Sequence, residues 1–284
     1  MTQIQSLKSS LNINKIYNED CLDGLSKLED SFIDLVVTSP PYDNLRNYNE
    51  SSIWNFEIFK PIARELSRVL KKGGVIVWNV NDATINGGES GTSFRQVLYF
   101  LDECGLKLHD TMIYEKTGIP FPAGVKSVRY SQSFEYCFVL SKGKPKSINL
   151  IQDKPNKWAG ITSWGSVNTR YKDGSLNKTG KTKTIKDFGV RTNIWKIKNQ
   201  KGFGQSDEEA YNHPAPMPEQ LAKDHIISWS KKNDLILDPF AGSGTTLIQS
   251  HILGRDYIGF EIDKEYFKLC KKRLNKISPF LDFK

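Results

Sequence analysis

From residue 13 to about residue 150 the chain alternates short apolar runs with segments whose apolar residues recur at helical spacing. The runs KIYN, IDLVVTS, GGVIVWNV, KLHDTMIYEK and EYCFVLSK read as strands. Between the second and third, Ile53 to Leu70 places Phe56, Phe59, Ile62, Ala63, Leu66 and Leu70 on one helical face. Phe94 to Glu103 repeats the spacing with Phe94, Val97, Leu98 and Leu101. Strands that are apolar nearly throughout, separated by amphipathic helices, predict an open α/β sheet covered on both faces.

The pattern fades at Lys144. As far as Gln205, Gly, Asn, Thr and Lys dominate, and only short pieces such as TNIWKIK look like strands. A solvated linker and an ordered, loop-rich lobe both fit that composition. Trp158, Trp164, Trp195 and Phe203 are unusual for a linker, so a lobe with mobile parts is expected, its tryptophans forming a core. Regular structure resumes with a helix that Pro218 can open, its buried face supplied by Leu221, Ile226, Ile227 and Trp229. The segment from Leu235 to Lys276 then reads strand, glycine turn, helix, strand, acidic end, helix, which is a βαβ unit. The expected divisions are residues 13–143, an insertion over 144–210, and 211–277.

Composition sharpens this picture at two points. A chain of 284 residues that is 38% hydrophobic can bury one large core with an added lobe. No apolar run approaches the roughly 18–20 residues of a membrane helix, and MTQIQSLKSSLNINK lacks a signal-peptide core, so a cytoplasmic protein with no membrane partner is expected. Cys21, Cys104, Cys137 and Cys270 are too scattered to suggest a disulfide framework or a zinc knuckle, and no metal is expected. The net charge of +8 is confined to one region: residues 141–204 carry fifteen Lys or Arg against Asp153, Asp173 and Asp187, leaving the remainder slightly acidic. A localised basic segment points to a polyanionic partner.

Two stretches carry candidate chemistry. In LILDPFAGSGTTL a strand feeds a turn containing Gly242 and Gly244, whose missing Cβ atoms let the backbone approach a ligand. The next strand ends at Glu261, where a carboxylate can accept from both hydroxyls of a ribose. No lysine follows Gly244 as a phosphate loop would require, so a nucleoside triphosphatase is poorly supported. The second stretch is SPPY, Ser39 to Tyr42, at the end of IDLVVTS. Proline nitrogens cannot donate, so the carbonyls there are free of a ladder and available as acceptors. A Ser hydroxyl, such a carbonyl and a tyrosine ring suit a planar base bearing an amino group, although a rigid strand-to-loop corner is an equally ordinary use of Pro-Pro.

Together these residues resemble the amino-group DNA methyltransferases that use S-adenosylmethionine (AdoMet). The family's catalytic motif stands as SPPY (Ser39, Pro40, Pro41, Tyr42). Its glycine motif stands as DPFAGSGTT, with Asp238, Pro239, Phe240, Gly242, Gly244 and Thr245, and its acidic strand end as FEID, with Glu261 and Ile262. HPAPMPEQL, beginning His213 and Pro214, is similar to the segment lining the methionine side of the cofactor, and Asp20, followed by Cys21, to the acidic residue meeting its adenine amino group. The catalytic motif precedes the glycine motif, which is the beta-type order.

The resemblance implies a Rossmann-like AdoMet-dependent methyltransferase fold in permuted motif order. It also implies AdoMet as methyl donor with S-adenosylhomocysteine as product, and double-stranded DNA as partner. A homodimer and a cognate restriction endonuclease become plausible companions. The insertion would recognise the target, with Arg170, Lys172, Lys181, Lys183, Arg191, Lys196 and Lys198 of the basic segment as candidate DNA contacts, joined by Arg46 and Tyr48 from the loop that follows SPPY. Serine before Pro-Pro leans towards N4 of cytosine, with N6 of adenine as the alternative. The absence of a Pro-Cys dipeptide argues against ring-carbon methylation. RNA or a protein amide as substrate, and a non-catalytic DNA-binding module, are further readings. The basic segment speaks against a protein substrate, and the presence of Ser39, Tyr42, Gly242, Gly244 and Glu261 against decay.

Overall fold

The computed structural model describes residues 11–42, 54–117, 129–162, 167–179, 184–198 and 204–277, without the side chains of 167–170 and 176–179. Its main sheet has eight strands: β1 (Lys15–Tyr17), β2 (Ile33–Thr38), β3 (Leu70–Val80), β4 (Lys107–Thr117), β5 (Phe134–Ser141), β6 (Ile194–Lys198), β7 (Leu235–Asp238) and β8 (Asp256–Phe260). Their order is β1-β8-β7-β2-β3-β5-β4-β6, and every neighbouring pair is parallel except the two that β5 makes. The helices are α1 (Cys21–Ser26), α2 (Phe56–Val69), α3 (Thr92–Asp102), α4 (Glu219–Trp229), α5 (Thr245–Ile252) and α6 (Lys264–Ile277).

Helices cover both faces, as the apolar pattern predicts. Along β8, Ile258 and Phe260 join one core with residues of α1, α2 and α3, whereas Tyr257, one residue before Ile258 and so on the opposite face, joins a second with α5 and α6. The first core is rich in aromatic edges: Phe59 meets Phe100 at 5.2 Å and Trp78 at 5.7 Å. Asn55 starts α2 by accepting from the Ile58 amide at 3.0 Å, and Asp20 starts α1 by accepting from that of Leu22 at 2.7 Å. On α3 the packing falls to Val97 and Phe100, while Phe94 and Leu98 are exposed.

Residues Leu150–Thr192 form a compact unit of their own, lying inside the longer basic stretch. Two small antiparallel ribbons build it, Lys154–Pro155 with Phe188–Gly189 and Val167–Arg170 with Leu176–Thr179. The strand expected within the insertion belongs elsewhere: β6 pairs in parallel with β4 at the edge of the main sheet. Trp195 is therefore core of the sheet unit, stacked on His225 at 4.6 Å. Trp158, expected in a core, is 58% exposed. Trp164 and Phe203 lie outside the described residues.

At the sheet's centre Asp34 is buried in β2, where it accepts from the Leu235 amide of β7 and the Lys71 ammonium, both at 2.9 Å, and pairs with Lys146. Burial alone would raise its carboxyl, but these donors outweigh it and hold the acid below its ordinary range. Asp34→Ala is expected to cost about 2 kcal/mol of stability in denaturant titrations, since it leaves the Leu235 amide without its acceptor and removes the charge-assisted bonds of two partly exposed lysines. Because the folded-state value is depressed, the contribution is complete above about pH 4 and is lost as pH falls further. The variant's deficit should accordingly shrink in acid.

Candidate active site

From β2 the chain crosses through α2 to β3 on one side, and from β7 it crosses through α5 to β8 on the other. The order thus reverses between β2 and β7, and a crevice opens where their carboxyl ends part. The two ends are fastened together. Thr38 Oγ1 donates to Asp238 Oδ1 at 2.7 Å, and Thr246 Oγ1 donates to the Val37 carbonyl at 3.2 Å. Ser39 to Tyr42 and the glycine turn consequently leave the sheet side by side. A single cavity of about 800 Å³ is lined by Ser39, Pro41 and Tyr42 from one and by Asp238 to Ser243 from the other.

On the glycine side, Glu261 is buried, and its two oxygens accept from the amides of Gly242 at 2.8 Å and Asp263 at 2.9 Å. Burial raises its carboxyl to about 7, with the nearby charges of Asp263 and Asp238 adding to the effect and the two amides opposing it. Asp238 is likewise pushed up by burial, to about 6, although Thr38 and the Phe240 amide donate to it. Gly242 has φ of +51°, and a Cβ there would press on His213 Nε2 at 2.9 Å. Asp20, Cys21, His213, Pro214, Pro239, Phe240, Thr245 and Ile262 all reach the cavity wall. Asn18 steadies the wall beside Ile262 by donating to the carbonyls of Glu261 and Ile262 at 2.8 and 3.1 Å.

Gly244 departs from its expected use. It is not on the cavity wall; a Cβ there would collide with Cys270 Sγ, so its bareness serves the packing of α5 on α6. Pro40 is buried and also off the wall, between two neighbours that line it.

On the other side, a hydrogen-bonded cluster surrounds the tyrosine. The Tyr42 hydroxyl lies 2.9 Å from Ser39 Oγ and 2.9 Å from Glu135 Oε2. Asn79 Nδ2 donates to Glu135 at 2.7 Å and to Tyr42 at 3.1 Å, and Lys116 Nζ pairs with Glu135 Oε1 at 2.6 Å. Asn79, Glu135, Lys116 and Tyr114 line the cavity, although motif reading singled out none of them. The signal was there for Asn79: an amide inside the otherwise apolar strand GGVIVWNV is a buried polar group in want of a reason.

The candidate DNA contacts separate into groups. Arg46, Tyr48, Lys181 and Lys183 lie outside the described residues, and Arg170 is described by its backbone only. Lys172 is exposed at a hairpin turn, and Arg191 is bound to Asp153 through Nε at 3.0–3.1 Å. Lys196 and Lys198 sit on the exposed side of β6, Lys196 lying 3.3 Å from Glu115. Among the described residues no helix is long and apolar enough to cross a membrane.

Comparison with known proteins agrees with this geometry. The orphan methyltransferase M.BamHII of Bacillus amyloliquefaciens is 52% identical over 245 residues, which are 86% of this chain and 89% of that one. Among solved structures, the PvuII DNA methyltransferase (cytosine-N4-specific) superposes with a TM-score of 0.66 at 21% identity, covering 94% of this chain and 91% of its own. The SAM complex of M1.HpyAVI superposes with a TM-score of 0.56 at 22% identity over 92% and 98%. A family model described as DNA methylase, of the N6/N4 type, matches residues 33–272. With that match spanning most of its length, the chain belongs to the N6/N4 DNA methylase family.

Proposed function

We propose that the protein transfers a methyl group from AdoMet to the exocyclic amino group of a base swung out of DNA, with N4 of cytosine as the preferred target. The observation that carries this reading is the single cavity shared by the SPPY corner and the glycine turn. Its volume lies towards the upper end of the roughly 300–1,000 Å³ typical of small-molecule sites, which suits a nucleoside cofactor with a base beside it.

The residues present fit AdoMet. Glu261 and Asp20 offer acceptors for ribose hydroxyls and an adenine amino group, Phe240 and Ile262 offer apolar faces, and Gly242 leaves the wall bare. His213 and Pro214 would border the methionine end. When bound, AdoMet supplies an electrophilic methyl group. The protein's part is to present the base, which must leave the stack to reach it. Tyr42 would hold the ring, and Ser39 Oγ would accept from the amino group, orienting its nitrogen and stabilising positive charge developing there. The preference for cytosine rests on the family's habit of placing serine before Pro-Pro in its N4-cytosine members, since the hydroxyl itself can accept from either amine. Leu150–Thr192 would act in target recognition, with exposed lysines such as Lys172 meeting phosphate.

DNA modified in vitro and digested to nucleosides should yield N4-methylcytosine by mass spectrometry; N6-methyladenine would instead assign the adenine alternative. Tyr42→Ala should lower turnover by about 10²-fold or more with little change in AdoMet affinity. Glu261→Ala should do the reverse, weakening AdoMet by about 10²-fold in calorimetry through loss of charge-assisted bonds. Equal loss of cofactor affinity in both variants would refute this division of roles. Since the Glu261 value is raised to about 7, the carboxylate that accepts from ribose prevails only above that pH. AdoMet affinity should therefore weaken as pH falls through 7, by up to about tenfold per unit, and Glu261→Gln should flatten that dependence.

A further inference from the structure

The cluster around Tyr42 has a direction that follows from its donors and acceptors. The Glu135 carboxylate, paired with Lys116, can only accept. Asn79 has its amide nitrogen towards Glu135 and Tyr42, an orientation fixed at its other end, where Oδ1 accepts from the Cys137 thiol at 3.0 Å. Burial, reinforced by the Glu135 charge, keeps the proton on Tyr42. The tyrosine has one hydrogen to give, and at equal distances of 2.9 Å the charge-assisted bond to Glu135 is stronger than a neutral one to Ser39. The Tyr42 oxygen is then left to accept, from Asn79 and from Ser39. The Ser39 hydrogen is thereby spent on Tyr42, and its lone pairs, approached by the Asn79 amide nitrogen only at a long 3.5 Å, are available to the cavity that Ser39 lines.

We propose that Glu135 is a positioning residue which, acting through the Tyr42 hydroxyl, locks Ser39 as a hydrogen-bond acceptor towards the amino group of the target base. This rests on the reaction proposed above. Without Glu135, the Tyr42 hydrogen can turn to Ser39, whose own hydrogen then points at a group that also donates. Hydroxyls can run in either sense, and the buried carboxylate selects the useful one. Three strands supply the device, Asn79 from β3, Lys116 from β4 and Glu135 from β5.

The test uses the full chain, AdoMet and unmethylated genomic DNA, with methylated nucleosides quantified in single-turnover reactions. Glu135→Met, similar in volume but unable to accept, should be slower by about 10²-fold with unchanged AdoMet affinity. Glu135→Gln, whose carbonyl still accepts from Tyr42, should stay within about tenfold of wild type. The sharper expectation is a reversal of sign. Tyr42→Phe should slow the wild type, yet it should speed Glu135→Met, because it removes the hydroxyl that has turned on Ser39. Glu135→Ala provides the same comparison should Glu135→Met not fold. A Glu135→Met rate within about threefold of wild type, or a Tyr42→Phe effect of the same sign in both backgrounds, would overturn the proposal while leaving the reaction intact. If the wild type itself forms no methylated base, the reaction falls and this inference with it.

Discussion

One hydrogen bond joins the two halves of this enzyme's chemistry. Thr38, the last residue of β2, donates to Asp238, the last of β7, across 200 residues of sequence. Because these strands are neighbours at the point where the sheet's winding reverses, the SPPY corner and the glycine turn open on the same crevice. The rest is support: Thr246 ties α5 back to β2, and Glu261 ties β8 to the turn. A fold that only placed the two motifs on one sheet would leave their separation to chance, and transfer between two ligands tolerates little error.

Buried carboxylates play opposite parts in the sheet. Asp34 is depressed by its donors and favours folding once ionised, whereas Asp238 and Glu261 are raised by burial and oppose it increasingly as pH climbs towards neutrality. The two unfavourable charges stand together on the cavity wall, where a ligand that donates to them relieves part of their desolvation. The favourable one sits away from that wall. The acid that favours folding and the acids that line the cavity are thus separate, each tuned by what surrounds it.

Much of the site was legible because its chemistry is local. Ser39 to Tyr42, the glycine turn and Glu261 each declare themselves within a few residues, and strand and helix periods place them at carboxyl ends. What stayed hidden depends on partners far along the chain. Gly244 reads like Gly242 until Cys270 arrives against it, and the basic TNIWKIK reads as insertion until β4 pairs with it. Arg191 looks available for phosphate until Asp153 claims it. Asn79, Lys116 and Glu135 meet only because β5 runs antiparallel between β3 and β4.

The placement of β7 beside β2 also bears on how the molecule is made. On the ribosome, β2 emerges early with one of its edges bare, and the strand that covers that edge follows about 200 residues later. At roughly 5–20 residues per second the wait is about 10–40 seconds. During it the apolar run IDLVVT has no native neighbour on that side, and Asp34 lacks the Leu235 amide. The nascent amino-terminal half is therefore the stretch of this polypeptide with most need of chaperone shelter, a liability that follows from the order of the motifs and not from either motif itself.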